Sequence, residues 1–294
     1  MARRIEQPTA ERMDERLGSL EAIAVANAEL DSVIQDAVKV DMPVIALPPS
    51  DLITLNGGLV KGDKVINTAI VKELTGEDEE ALARAAQANY FHFIDRLLRC
   101  GVVQLGDEPK SQTEQLLGKL LIGDREQLLL GIREATYGDE IEVEKWICPN
   151  CGSEQDLVME VADIPVKKMA SPDDATFKVN LRKGGYALVR LATGEDQLAI
   201  FEKNDWTQAQ RETVYLSRCV VSLVDKDGIE HSMQGFPSLS REMPMADRHA
   251  ILKELGDRQP GPKYNDIQYT CENCSKEVTV VLGLTNLFPD IGWL

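Results

Sequence analysis

Nowhere in these 294 residues does an apolar run approach the roughly 20 residues that a membrane span requires. The opening Met1-Ala2-Arg3-Arg4-Ile5-Glu6-Gln7 lacks the apolar stretch of a secretory signal, so synthesis in a cytoplasm is expected. Basic residues are scarce: 32 stand against 49 acidic ones, for a net charge of −17. Beyond Arg3-Arg4 at the start, adjacent basic residues occur only at Lys167-Lys168 and Arg182-Lys183. A protein that neutralises phosphates needs a basic face, so nucleic acid is disfavoured as the main partner. Glycine-rich phosphate loops, Gly-x-Ser-x-Gly and His-Glu-x-x-His are all missing. The three histidines, His92, His231 and His249, lie apart, and no acid/base pair stands out from the acidic background. No enzymatic chemistry is indicated.

What remains is ordinary in amount and unusual in arrangement. Hydrophobic content of 43% with 28% charged residues fits a globular protein with a sizeable core. Six cysteines include two Cys-x-x-Cys pairs, Cys148-Pro149-Asn150-Cys151 and Cys271-Glu272-Asn273-Cys274. In a reducing compartment such pairs bind metal more often than they form disulfides. β-rich sequence flanks both pairs, as in a zinc knuckle, where two intervening residues let both thiolates reach one ion. A redox motif would instead open a helix. A catalytic zinc would keep an open position and use His or carboxylate ligands. The 119 residues from 152 to 270 far exceed the about 15–20 that separate the pairs of an ordinary ribbon.

An internal repeat accounts for that separation. Val71-Lys72-Glu73-Leu74-Thr75-Gly76-Glu77-Asp78 reads against Val189-Arg190-Leu191-Ala192-Thr193-Gly194-Glu195-Asp196, 118 residues later. Arg99-Cys100 answers to Arg218-Cys219, and Asp124-Arg125 to Asp247-Arg248. Gly138 answers to Gly261, and the two cysteine pairs lie 123 apart, from 148 to 271. Each copy thus supplies two ligands, and Cys148, Cys151, Cys271 and Cys274 together make a four-thiolate structural zinc between two halves. Sharing of the ion between protomers, and with it a homo-oligomer, stays open.

The local signals are mixed α and β. Residues 8 to 39 carry an apolar stripe at helical spacing, interrupted by Gly18, and form an arm that either docks a partner or packs on its own domain. Short strands are expected at Leu52–Leu55 and at Lys64–Ile66, on either side of a turn at Asn56-Gly57-Gly58. Thr75 and Asp78 form a capping box for a helix over 76–87, and Thr193 with Asp196 repeats it. Further helices are expected at 88–100 and 208–220, with Cys100 and Cys219 as buried small hydrophobes. Two leucine-rich helices follow, broken by Gly123, the second capped by Asp124 with Gln127. Strands are expected on both sides of each cysteine pair.

The stretch from Leu116-Leu117 through Asp124-Arg125 and Ile132-Arg133 to Tyr137-Gly138, ending in Cys148-Pro149-Asn150-Cys151-Gly152, resembles the baseplate hub assembly proteins, or hub assembly chaperones, of T-even-type contractile-tailed phages. Leu47-Pro48 and Leu74-Thr75-Gly76 match as well, and the likeness covers roughly residues 43–166. The resemblance implies a non-enzymatic tail protein of the central hub. It would bind other phage tail and baseplate proteins, working in the host-cell cytoplasm during assembly and in the virion tail if retained. The expected fold is α+β: a helical arm over 1–42, a first repeat over 43–168 and a second over 169–294, joined by one zinc. The competing reading is a zinc-ribbon adaptor for nucleic acid or the transcription machinery.

Overall fold

The computed structural model describes residues 51–87, 89–233 and 238–289, all within one unit, Pro48–Leu294. The expected N-terminal arm lies outside the described residues. The described chain is a mixture of α and β, with nine helices and several small antiparallel sheets. None of these helices is long and apolar enough to cross a membrane.

The chain enters as a hairpin of β1 (Asp51–Lys61) and β2 (Lys64–Val71). Helices α1 (Gly76–Ala86) and α2 (Tyr90–Gly101) follow, and β3 (Val102–Leu105) then pairs with β2. Helices α3 (Lys110–Lys119) and α4 (Ile122–Tyr137) lead to a second hairpin, β4 (Glu140–Ile147) and β5 (Glu154–Glu160). After the short β6 (Val166–Lys167) comes another hairpin, β7 (Thr176–Asn180) and β8 (Tyr186–Arg190). Helices α5 (Gly194–Ile200) and α6 (Gln208–Cys219) follow it, and β9 (Val220–Val224) pairs with β8, with β10 (Glu230–Ser232) at the edge. Helices α7 (Leu239–Glu242) and α8 (Met245–Arg258) precede β11 (Gly261–Pro262), which pairs with β6. The last hairpin, β12 (Ile267–Thr270) and β13 (Glu277–Val280), is followed by α9 (Leu284–Leu287). The ladder slips at Ile70/Val71 in the first sheet and at Leu188/Val189 in the second.

Both capping boxes form as expected. Asp78 Oδ2 accepts from the Thr75 N–H at 3.0 Å, and Asp196 Oδ2 from the Thr193 N–H at 2.9 Å. Each carboxylate also meets a cation six residues back: Lys72 reaches Asp78 at 2.6 Å, and Arg190 grips Asp196 at 2.6 and 3.0 Å. Cys100 and Cys219 are buried, and burial pushes their thiols up to about 11 and about 12.

The first hairpin and the leucine helices differ from expectation. Asn56-Gly57-Gly58 is no turn; it is an irregularity inside one long strand, and the turn falls at Gly62-Asp63. Asp124 supplies the reason. Its buried carboxylate accepts from the Gly57 and Gly58 N–H groups at 2.8 and 2.9 Å, holding the strand out of register. Asp124 therefore does not cap α4, and Gln127 accepts from the Asn56 side chain at 3.0 Å. The break between α3 and α4 lies at Leu120-Leu121, whose backbone is extended. There it bonds to the start of α5: Ile122 donates to the Ala192 carbonyl at 3.1 Å and Gly194 to that of Leu120 at 3.0 Å. Gly123 sits in the first turn of α4 for a different purpose. A Cβ there would stand 1.5 Å from the Pro260 carbonyl oxygen.

Arg125 and Arg248 are the matching cross-braces. Arg125 donates to the Leu117 carbonyl at 3.0 Å and to Asp95 at 3.2 Å. Arg248 donates to the Ser240 carbonyl and, at 3.2 Å, to Thr213. Beside them, Asp247 accepts from the Arg182 N–H at 2.8 Å, as Asp124 accepts from the first hairpin.

Two cores result. The second gathers Phe177, Val189, Leu216, Ile251 and Leu255 beneath the sheet of β7 to β10. The first gathers Leu55, Val71, Phe93, Leu97, Leu128 and Ile132, together with Ile141 and Leu157 of the β4–β5 hairpin. It also takes in Ile267, Val280, Leu282, Leu287 and Phe288 from the far end of the chain. The hairpin carrying the second cysteine pair thus packs on the core built by the first stretch of chain.

Candidate metal centre

Each cysteine pair occupies the tip of a hairpin whose inner face is anchored in the first core. Ile141, Leu157 and Met159 hold β4–β5, while Ile267 and Val280 hold β12–β13. Trp146 and Tyr269 meet edge to face, with ring centroids 6.0 Å apart, and fix one hairpin beside the other.

The two tips are built alike. The Cys148 N–H donates to the Ser153 carbonyl and the Gly152 N–H to that of Cys148, both at 2.9 Å. At the second tip, Cys271 donates to Lys276 at 3.0 Å and Ser275 to Cys271 at 2.8 Å. This turn needs a left-handed residue one place past its second cysteine. Gly152 supplies it at φ 71°, and Ser275 adopts the same region at φ 54° with a side chain present. The turns aim backbone N–H groups at sulfur: those of Cys151 and Asn150 at Cys148, those of Cys274 and Asn273 at Cys271.

All four Sγ atoms lie within 4.8 Å of one another. Cys148 and Cys274 are 3.9 Å apart and Cys151 and Cys271 3.8 Å, so each measured pair joins one knuckle to the other. A disulfide would need about 2.05 Å. Four thiolates at about 2.3 Å from one tetrahedral ion stand about 3.8 Å apart, which is the spacing seen. The cluster is compatible with a metal site.

Polar groups complete it reciprocally. Asn150 donates its side-chain amide to Cys274 Sγ at 3.3 Å, and Asn273 donates to Cys151 Sγ at 3.5 Å. Ser153 Oγ lies 3.1 Å from Cys151 Sγ, and Lys276 donates to the Asn150 side-chain oxygen at 3.1 Å. The Ser153 hydroxyl and then the Asn273 amide hold the Cys151 thiol down to about 5, stabilising a thiolate there. Burial instead pushes Cys148 up to about 11. A bound cation would remove that opposition, because it favours the deprotonated form of every ligand.

All four cysteines singled out in the sequence come together, and among the described residues they form the one cluster with metal-ligand geometry. No histidine joins it; His231 lies 3.3 Å from Asp225 instead. The two asparagines were not anticipated as sulfur donors. Their signal was in plain view: Asn is the residue before the second cysteine in both pairs.

No curated protein and no solved structure is detectably similar to the chain. A family model described as T4 bacteriophage base plate protein matches residues 67–289, which include both cysteine hairpins and the whole of the β7–β10 sheet. The chain belongs to that family of phage baseplate proteins.

Proposed function

We propose that the protein is a structural or assembly component of the central hub of a contractile-tail baseplate. It binds other tail proteins, acts without catalysis and is stabilised by one structural zinc on Cys148, Cys151, Cys271 and Cys274. The observation that carries this reading is the four-sulfur cluster inside a baseplate family match. Thiolates fill every position of a tetrahedral ion, so such a zinc has structural work to do and no open site for substrate.

The two halves, 43–168 and 169–294, descend in this reading from one duplicated unit. Support comes from the shared succession of hairpin, helix pair, third strand, helix pair and cysteine hairpin. It comes also from the ladder slips 118 residues apart and from the paired roles of Arg125 and Arg248. Assembly in the host cytoplasm, and a place in the virion tail, follow from the function. Deleting the gene from its phage tests the proposal. Tails without assembled baseplates are expected, and infectious particles of normal tail structure would refute it. Metal analysis of the purified chain should return one zinc per chain, and loss of a single ligand should abolish it.

A further inference from the structure

Away from the cysteines, a cleft of about 210 Å³ opens between α2, the first turns of α4 and the segment Leu282–Leu287. Its walls are apolar, formed chiefly by Phe91, Ile94, Leu129, Leu284 and Leu287. One carboxylate interrupts them, that of Glu126, and among the described residues nothing hydrogen-bonds or ion-pairs with it. Of the neighbouring polar groups, Tyr264, Lys263 and Arg125 have other partners, and the Gln197 side chain lines the cleft as well. Tyr264 gives its hydroxyl to the Glu126 backbone carbonyl at 3.1 Å. Lys263 donates to the Gln259 carbonyl at 2.9 Å, and Arg125 is held by Leu117 and Asp95. Burial pushes the Glu126 carboxyl up to about 7, and the charge of Lys263 opposes this only in part. A carboxylate with an apolar lining and no partner is costly as an anion until a cation meets it. Tyr90 and Phe91, which meet edge to face at 5.1 Å, also line the cleft, and Phe201 stacks on Phe91 at 3.6 Å.

We propose that this cleft binds an alkylammonium group, with the aliphatic chain along Leu129 and Leu284 and the charge on Glu126. The volume falls below the roughly 300 Å³ at which pockets for drug-sized ligands begin, so the cleft suits a ligand of a few heavy atoms such as a short unbranched chain. Two sources share this chemistry: a lysine side chain of a neighbouring protein, and a free aliphatic amine.

The test uses the full chain labelled with 15N and titrated with n-pentylamine, pentan-1-ol and an acetylated peptide carrying one central lysine. Pentylamine should give saturable shifts at Phe91, Leu129 and Leu284, and pentanol should bind at least tenfold more weakly. Glu126→Gln should erase that difference while leaving the rest of the spectrum in place, since among the described residues no hydrogen bond or ion pair is made by the carboxylate. Displacement of pentylamine by the peptide assigns the site to a protein lysine, and failure to displace assigns it to a free amine. The proposal is overturned if pentylamine gives no saturable shift, if the alcohol binds as well, or if Glu126→Gln binds like the parent.

Discussion

Asp196 and Asp78 each close a capping box at the start of a helix, yet replacing them should have unequal costs. Asp196 is fully buried, and its carboxylate accepts from both Arg190 Nη atoms, from Arg218 Nε at 2.7 Å, and from the Thr193 N–H and hydroxyl. Asp78 is less enclosed; it accepts from Lys72 and Thr75 and has the Cys100 thiol as a further neighbour, with no guanidinium converging on it. Truncating Asp78 to alanine removes a helix cap and one partly exposed ion pair with a single lysine, about 1 kcal/mol together. Truncating Asp196 also strands two guanidinium groups that converged on it. Breaking a buried pair costs about 3–5 kcal/mol, and both arginines keep about a third of their exposure, so the lower end applies, about 3 kcal/mol. A gap of about 2 kcal/mol should lower the urea midpoint of Asp196→Ala roughly 1 M below that of Asp78→Ala. The acid dependence follows from charge. Burial raises the Asp196 carboxyl, but the hydrogen bonds from Arg190 and Thr193 outweigh it, and the group ends below its ordinary value. Its contribution is therefore complete above the unfolded value of about 3.9 and is lost as pH falls through the lower folded one. The advantage of the parent over Asp196→Asn should shrink as pH falls from 5 towards 2. Equal costs for the two alanine variants, or an advantage that survives in acid, would refute the argument.

Gly123→Ala drives a Cβ into the Pro260 backbone, whereas Gly76→Ala meets nothing within 4 Å at a helix start. Thermal melting should show the first losing about 3 kcal/mol or more and the second unchanged or slightly stabilised. Cys148→Ser should abolish zinc stoichiometry by metal analysis and sharply lower the melting temperature, as should a chelator, since metal affinity in such sites is folding free energy. Asn150→Ala leaves all four ligands in place and should weaken zinc about 10- to 100-fold in a chelator competition. Glu126 titrates higher in the fold than its ordinary 4.5, so stability is lost as pH rises from about 4.5 to about 7. Glu126→Gln should then be more stable by on the order of 1–3 kcal/mol at pH 8, where water at the cleft mouth moderates the effect, and should match the parent at pH 4.

Much of this molecule is written locally. Thr-Gly-Glu-Asp specifies a helix start wherever it occurs, because the cap bonds close within four residues. The Cys-x-x-Cys pairs specify their turns for the same reason, and their recurrence in register with Arg-Cys and Asp-Arg was enough to predict that four sulfurs would meet. Other features were invisible for an equally physical reason. Asp124 reads locally as a helix cap, but it is spent on Gly57 and Gly58, 67 and 66 residues away. Gly123 reads as a helix breaker, but it exists to let Pro260 and Gly261 approach. Sequence alone thus marked the Thr-Gly-Glu-Asp caps and the sulfur-bearing turns, whose bonds close within a few residues. Tertiary structure decided where their partners come from, and it seated the second cysteine hairpin on the first core. Burial and hydrogen bonds between distant segments depend on packing that no local pattern records.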